Sequence, residues 1–105
     1  MAGYRVGVAP RAIADIARIA EWWRENRASA PRMFQNELDR SLLRIATHPH
    51  IGAIGELRAY PGARTFVLSK SGYLVLYNVD DDAGEVIIAR VRHMHRRPLP
   101  KQRRQ

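Results

Sequence analysis

Cysteine is absent from the 105-residue chain, which excludes disulfides, thiolate metal ligands and thiol catalysis. No apolar run approaches the roughly 18 to 20 residues that span a bilayer, and the first residues lack the pattern of a signal peptide. With 46% hydrophobic residues, the chain has enough apolar material for one modest core but not for two. The sequence therefore predicts a single soluble domain in the cytoplasm, without a membrane segment.

Lysine and acidic residues are scarce, and arginine dominates the charge. The formal net charge is +8 and the pI is about 11.0, although Lys70 and Lys101 are the only lysines. From Arg90 to the last residue there is no acidic side chain. Such a field attracts polyanions or acidic proteins, and the planar guanidinium group suits bidentate contact with phosphates and carboxylates. We therefore expect an anionic partner.

The second half of the chain contains three β-type segments rich in Val, Ile, Leu and Tyr. The gaps between them are short enough for hairpins and too short for a parallel crossover, which predicts an antiparallel meander. The middle segment is apolar on both faces and should be the central strand. The three segments cover residues 64–69, 73–79 and 85–93.

The last of these segments changes character along its length. Strict alternation of a strand places apolar residues on one face and a mixed set on the other. The apolar face carries Ile87, Ala89 and Val91. The mixed face carries Val86, Ile88, Arg90 and Arg92. We therefore expect an apolar stripe that becomes basic towards one edge of the sheet.

The first half predicts a short strand over 4–8 and then two helices. The first helix covers 11–26, and its inward residues are Ile13, Ile16, Ala17, Ala20 and Trp23. The second begins with Ser29 as N-cap and ends near Thr47, because the residue before Pro49 is pushed out of the α region. Its inward residues are Phe34, Leu38, Leu42 and Ile45.

A connector over 49–62 links the helices to the meander, with a short strand or turn expected near 56–58. Two helices joined by so few residues form an antiparallel hairpin. The predicted order is β-α-α-β-β-β. This is an α+β fold in which the N-terminal strand pairs with a three-stranded antiparallel meander and the helical hairpin covers the sheet.

Several short motifs follow this order along the chain. They are Pro49 with Ile51-Gly52, Gly62-x-Arg64, Gly72-Tyr73-x-Val75-x-Tyr77-x-Val79, Val91-x-His93 and Arg96-Arg97-Pro98. Together with the element order, length and charge, the series resembles the RelE/ParE superfamily of toxins from type II toxin-antitoxin pairs. The resemblance implies one toxin domain over 1–98, followed by a basic tail over 99–105.

The resemblance implies one of two activities. RelE-like members cut messenger RNA on the ribosome, whereas ParE-like members poison DNA gyrase. RelE-like nucleases are expected to carry basic residues on the second strand and an arginine after the tyrosine of the third. Those positions here are Thr65, Val67 and Leu74, which neither hold a phosphate nor transfer a proton. The resemblance therefore favours a ParE-like gyrase inhibitor, without a cofactor and without chemistry by the chain itself.

Two other functions stay open. A ribosome-dependent nuclease is the first, because His93 and His95 share a face of an extended strand and, with Arg90, form a possible general base beside a phosphate-binding cation. The second is a non-toxic basic domain that binds nucleic acid. No metal site is expected, because His48-Pro49-His50 and the later histidines have no carboxylate or HExxH spacing near them.

The resemblance also implies two binding surfaces. The target, gyrase or alternatively the ribosome and its mRNA, should meet Arg90, Arg92, Arg96 and Arg97. A cognate antitoxin, ParD-like or of another type, should fold on the toxin as a hetero-oligomer. Its expected contacts are Ile19, Trp22, Phe34, Leu38 and Arg64.

Overall fold

The structure, a computed structural model, describes residues 3–55 and 57–94. Their order confirms the predicted α+β fold. The elements are β1 (Arg5–Val8), α1 (Pro10–Asn26), α2 (Met33–Thr47), β2 (Ala53–Ile54), β3 (Arg64–Leu68), β4 (Tyr73–Asp80) and β5 (Glu85–His93). The turn that was one of the two forms expected near residues 56–58 is present, with Tyr60 N–H donating to Leu57 O at 3.0 Å, and the short strand of the connector lies earlier, at β2. The predicted tail over 99–105 lies outside the described residues.

The five strands form one sheet in the order β1-β5-β4-β3-β2. β4 lies at the centre, as predicted, and is antiparallel to both of its neighbours. β1 is parallel to β5, which is possible because the two helices carry the chain across the sheet. The pairing ends where Val8 lies opposite Ile88. Within the described residues, the C-terminal half of β5 therefore has no strand on its outer side.

The first helix begins at Pro10, whose ring suits the first turn because no intrahelical donor is needed there. Its buried residues are Ala12, Asp15, Ile19 and Trp23. The predicted inward stripe is wrong at Ile13, which is 56% exposed, and at Ala17, which is also exposed. Hydrophobic periodicity misplaced the stripe because it gave no weight to Asp15, an acidic residue that the fold buries.

The second helix begins at Met33 rather than at Ser29, which corrects the predicted N-cap. Arg32 precedes the helix and makes no side-chain capping bond, while Met33 donates its backbone N–H to Ala30 O at 3.2 Å in a preceding turn. Pro31 explains the delay, because a proline disfavours the α region for the residue before it. The rest of the prediction holds for Phe34, Leu38 and Ile45, which are fully or almost fully buried.

A β-bulge in the pairing of β4 with β5 changes the faces of the last strand. Tyr77 lies opposite Ile88, and Leu76 lies opposite Arg90, so that Ala89 has no residue opposite it. Val91 therefore joins Val86 and Ile88 on the buried, helix-facing side. Strict alternation had placed Arg90 and Arg92 with Val86 and Ile88, and the bulge shows that this prediction is wrong.

The core lies between the helical hairpin and one face of the sheet. Tyr77 anchors the connector to this core, because its hydroxyl donates to Pro49 O at 2.9 Å and accepts from Gly52 N–H at 2.8 Å. A Cβ on Gly52 would lie 2.7 Å from Tyr77 Oη and from Thr65 O, so the close approach requires glycine. The connector is therefore held to the central strand.

Glu37 of α2 anchors the β3–β4 turn. Its carboxylate accepts from the backbone N–H groups of Lys70 and Ser71, each at 2.8 Å, and from Ser71 Oγ at 2.7 Å. Burial raises the pKa of Glu37, but these hydrogen bonds outweigh burial and hold the pKa below its usual range. The second helix is thereby fixed to the hairpin that carries β4.

Candidate functional site: a basic groove beside the last strand

The first helix runs along the outer edge of β5 where β1 stops. Asp15 of α1 fills this edge, because its Oδ2 accepts the backbone N–H of Val91 at 3.0 Å. Asp15 also accepts from Arg90, with Nε to Oδ2 at 2.7 Å and Nη2 to Oδ1 at 3.0 Å. Arg18, one turn along the helix, donates to Oδ1 at 3.1 Å. A buried carboxylate thus joins α1 to the last strand.

The pKa values of this cluster show that Asp15 is ionised. Burial raises the pKa of Asp15, but the bonds from Arg90, Val91 and Arg18 outweigh burial and lower the pKa below its ordinary value. Asp15 in turn raises the pKa of Arg90, so that this guanidinium stays charged. The cluster is therefore ion-paired at neutral pH, and Asp15 is not a proton donor there.

A cavity of about 670 Å³ opens next to this cluster, and we name it the basic groove. It lies between α1, the C-terminal half of β5 and the connector at Ala59 and Tyr60. Five arginines line it: Arg11, Arg18, Arg27, Arg90 and Arg92. Ile19, Trp22, Trp23, Tyr73, Val91 and His93 supply apolar and aromatic walls, beside Ser71. The groove is therefore strongly positive and partly apolar.

The aromatic wall is built around the tryptophan pair. Trp23 is buried and donates Nε1–H to Tyr73 Oη at 3.2 Å, whereas Trp22 is 44% exposed. Their rings meet edge to face at 5.9 Å, and the Arg27 guanidinium lies 5.5 Å from the centre of the Trp22 ring. His93 packs edge-on against Tyr73 at 5.2 Å. The prediction that Trp23 lies on the inward face of α1 is confirmed, and Trp22 lies at the margin of the core.

The groove brings together residues that the sequence had assigned to different surfaces. Arg90, Arg92 and His93, predicted for the target or for catalysis, line it together with Ile19 and Trp22, predicted for the antitoxin. Arg90 is largely engaged by Asp15, with 22% of its side chain exposed. Little of the Arg90 side chain is therefore accessible to another molecule. The remaining predicted residues of this set, His95, Arg96 and Arg97, lie outside the described residues.

Three predicted antitoxin contacts lie elsewhere. Phe34 and Leu38 are core residues, 0% and 1% exposed, which leaves no side-chain surface for a partner and corrects their assignment. Arg64 Nη1 donates to Gly52 O at 2.7 Å and to His50 O at 3.2 Å, so it holds the connector. Phe34, Leu38 and Arg64 therefore stabilise the fold. A contact between Arg64 and a partner stays a prediction.

Sequence reasoning missed several residues of the groove. They are Arg11, Arg18, Arg27 and Tyr60, and Asp15, which lies beside the groove and holds Arg90, was missed as well. Arg11 and Arg18 are seven residues apart and therefore share a helix face, which was a usable signal. No sequence signal indicated that Tyr60 of the connector would line the groove, because the packing partner of a loop residue depends on the tertiary fold.

The outer face of the sheet lacks proton-transfer groups at the expected nuclease positions. Val67 lies opposite Leu74, and Thr65 lies opposite Leu76. Val67 is 46% exposed. The three positions at which a nuclease of the superfamily is expected to carry basic residues therefore lie on adjoining strands, β3 and β4. Their side chains here are aliphatic or hydroxyl groups, at Thr65, Val67 and Leu74.

The described residues carry neither a metal-binding cluster nor a membrane-spanning helix. Residues 3–55 and 57–94 contain no group of three or more His, Asp or Glu side chains arranged to hold a metal ion. His50 Nε2 lies 3.0 Å from Asp81 Oδ1, beside the β4–β5 turn, whereas His93 ends β5 at the other end of the strand. Neither α1 nor α2 has the length and apolar character that a bilayer crossing requires.

Comparison with known proteins decides the family. A family model described as "ParE toxin of type II toxin-antitoxin system, parDE" matches residues 6–98. The chain belongs to the ParE toxin family. It is thus a type II toxin of the RelE/ParE superfamily, as the sequence predicted.

Solved structures agree with the fold of this ParE family member. It is similar to a chain of the intact Escherichia coli RelBE toxin-antitoxin complex, with 25% identity, a TM-score of 0.57, and coverage of 89% of this chain and 99% of that one. The isolated E. coli RelE toxin is 24% identical with a TM-score of 0.57, and the match covers 90% and 88% of the two chains. Among curated protein sequences, none gives a significant match.

Proposed function

We propose that this ParE family protein is a growth-arresting toxin that acts on DNA gyrase in the cytoplasm and is neutralised by a cognate antitoxin. One observation carries the choice of gyrase. Val67 and Leu74 lie opposite each other where a nuclease of the superfamily is expected to place cations. An aliphatic pair neither binds a phosphate nor assists proton transfer. The match to the ParE model over residues 6–98 supports the same choice.

The basic groove is the surface that fits the target in this proposal. Arg92 is partly exposed there and has no ion-pair partner among the described residues. Arginine and tryptophan are the residue types that dominate binding energy at protein interfaces. The toxin therefore acts by binding and performs no covalent step itself.

An antitoxin follows from the comparison with the RelBE complex, in which a similar toxin was solved with its antitoxin. The net charge of +8 favours an acidic partner. Binding would also stabilise the toxin by mass action, because the antitoxin binds the folded chain only. The expected product is a toxin-antitoxin hetero-oligomer.

Induced expression tests the proposal directly. We expect growth arrest with filamentation and a DNA-damage response, and accumulation of cleaved DNA when purified chain is added to gyrase and plasmid. Co-expression of the neighbouring gene should restore growth. Arrest without any effect on purified gyrase would refute the gyrase assignment.

One observation favours RNA cleavage as a second candidate. His93 lines the basic groove with the five arginines, so an imidazole lies near groups that bind phosphates. This candidate predicts new transcript ends within codons, and their loss in His93→Ala. Gyrase inhibition predicts intact transcripts and continued toxicity of the same variant.

A further inference from the structure

A second cavity lies between α2 and β3, and we name it the α2–β3 cavity. Its volume is about 520 Å³, and it shares no lining residue with the basic groove. We propose that this cavity binds phosphate groups of double-stranded DNA through Arg40, Arg44 and Lys70. The inference goes beyond the proposed function, because the contact is with DNA itself and does not require gyrase.

The second helix places two arginines at the edge of this cavity. Arg40 and Arg44 are four residues apart, so they lie on one face of α2, separated by about 6 Å along the helix axis. Both side chains are exposed. Like charges at this spacing destabilise a helix, and an anion bound between them relieves that repulsion. The helix face is therefore better satisfied with an anionic ligand than without one.

Lys70 adds a third positive charge from the turn after β3. Among the described residues, Glu37 is the only carboxylate that lines the cavity, and it already accepts three hydrogen bonds from the turn. None of the three cations has an ion-pair partner among residues 3–55 and 57–94. Three cations against one carboxylate leave an excess of two positive charges, which attracts an anion.

The donors of the cavity are those that contact phosphate groups. Arginine, lysine and serine side chains supply many of the bonds to phosphate oxygens in protein–DNA complexes. Ser69 is exposed and lines the same cavity as the three cations. A guanidinium group can hold two oxygens of one phosphate. Because Arg40 and Arg44 are one helical turn apart, each can contact a separate phosphate.

The aromatic lining favours a duplex over single-stranded nucleic acid. Bases of a single strand stack on free aromatic ring faces. Phe66 is the one aromatic residue of this cavity, and the Arg44 guanidinium lies over its ring, 5.9 Å from the centre. The ring face is therefore occupied, and the remaining donors suit a phosphate backbone whose bases are paired.

The aliphatic lining does not favour a protein segment. Anchor residues of a protein partner bind in well-packed pockets that exclude water. Leu43 and Val67 are instead 71% and 46% exposed. Scattered exposed aliphatic residues are common on protein surfaces. Charge complementarity with a polyanion is thus the property that selects the occupant.

Arg58 supplies a matched control. It is an exposed arginine of the connector that lines neither cavity and has no ion-pair partner among the described residues. Replacement by glutamine removes one positive charge, as it does at Arg40, Arg44 or Lys70. Attraction of DNA to the net charge of +8 alone would respond equally to all four changes.

The experiment measures DNA affinity of the full-length chain as a function of salt. Fluorescence anisotropy follows binding to a labelled duplex of about 20 base pairs between about 50 and 200 mM NaCl. We expect Arg40→Gln, Arg44→Gln and Lys70→Gln each to weaken binding at least about fivefold, and to reduce the slope of log K against log salt by about 0.9. Arg58→Gln should stay within about twofold of wild type, with an unchanged slope.

A conservative variant separates charge from packing at Arg44, which also contacts Phe66. Arg44→Lys keeps the positive charge and should retain the wild-type salt slope. Circular dichroism checks that every variant is folded. Loss of the slope in Arg44→Lys as well as in Arg44→Gln would overturn the phosphate contact at this residue.

Other outcomes overturn the site. Wild-type chain that does not bind the duplex at about 50 mM NaCl does so directly, as does an equal loss in Arg58→Gln. A loss in Arg11→Gln, with wild-type binding in the three cavity variants, assigns the DNA to the basic groove instead. Tighter binding of a single-stranded RNA of the same length assigns the cavity to RNA. Displacement of the duplex by polyglutamate at equal charge assigns it to an acidic protein.

The assay with purified gyrase keeps this inference separate from the proposed function. Gyrase inhibition by a wild-type chain that does not bind the duplex leaves the proposed function standing and overturns the DNA site. A wild-type chain that has no effect on gyrase, yet binds the duplex through Arg40 and Arg44, refutes the proposed function and supports the DNA site.

Discussion

Asp15 and Arg90 form a two-bond ion pair between the first helix and the last strand, with Nε–Oδ2 at 2.7 Å and Nη2–Oδ1 at 3.0 Å. The Asp15 side chain is 2% exposed and that of Arg90 is 22% exposed. Removing one member of such a pair leaves the other without compensation. The pair therefore couples the stability of the fold to the shape of the basic groove.

We predict that Asp15→Ala lowers the free energy of unfolding by about 3–5 kcal/mol, because it leaves the Arg90 guanidinium and the Val91 N–H without their acceptor. Urea denaturation at pH 7 measures the change. Asp39→Ala is the control, since Asp39 is exposed on α2 and accepts only from Gln35 among the hydrogen bonds described. It should change stability by no more than about 0.5 kcal/mol. A loss below about 1 kcal/mol for Asp15→Ala would contradict the prediction.

Stability should also depend on pH through Asp15 and Glu37. Both have a pKa below their ordinary values of 3.8 and 4.5 in the folded chain, so the unfolded chain binds more protons in acid. Their stabilisation is complete above these values and is lost as pH falls through the lower, folded pKa values. We expect the urea midpoint to drop below about pH 4.5. Asp15→Asn should show a flatter dependence in the same pH series, and an equally steep one would count against this source.

The hydroxyl of Tyr77 is expected to stabilise the connector by about 1–3 kcal/mol, because Tyr77→Phe leaves Gly52 N–H and Pro49 O without their partner. Thermal and urea unfolding measure the loss. Tyr4→Phe removes a hydroxyl that binds the exposed Asp81 at 2.7 Å, and should cost no more than about 0.5 kcal/mol. Equal losses in the two variants would show that burial of the bond is not the cause.

Two neighbouring residues of α2 allow a test of which helix face is covered. Ile45 is 0% exposed and Leu43 is 71% exposed. We predict a loss of about 2–5 kcal/mol for Ile45→Ala, from lost burial and a residual cavity. Leu43→Ala should stay within about 0.5 kcal/mol. A large loss for Leu43→Ala at micromolar protein, absent on dilution, would instead indicate self-association through this face.

The parts of the fold that the sequence predicted depend on local chemistry. Apolar residues on both faces marked β4 as the central strand, and the short gaps beside it marked its turns, where Gly72 and Gly84 adopt φ of 88° and 66°. Pro49 marked the end of α2 at Thr47 in the same way. Each of these signals is contained in a few adjacent residues, so it can be recognised without knowledge of the tertiary packing.

The features that escaped prediction depend on distant residues. Ala89 is an ordinary strand residue, and only the pairing with β4 makes it the bulge that moves Arg90 and Arg92 to the other face. The burial of Asp15 likewise depends on partners 75 and 76 positions away. The wall of the groove that β5 forms was therefore predictable as a basic strand. The wall that α1 forms and the shape of the groove depend on tertiary contacts that the sequence does not show.

The parallel pairing of β1 with β5 has a consequence for how the toxin is made. Arg5 pairs with Glu85 and Val8 with Ile88, so the first strand synthesised finds its place only beside the last one. The walls of the basic groove are separated along the chain in the same way. A nascent chain that has not yet released β5 from the ribosome has α1 but no groove, and a product terminated before Glu85 never acquires one. The basic groove thus forms only after β5 has been synthesised, because α1 and β5 line opposite sides of it and lie near opposite ends of the described chain.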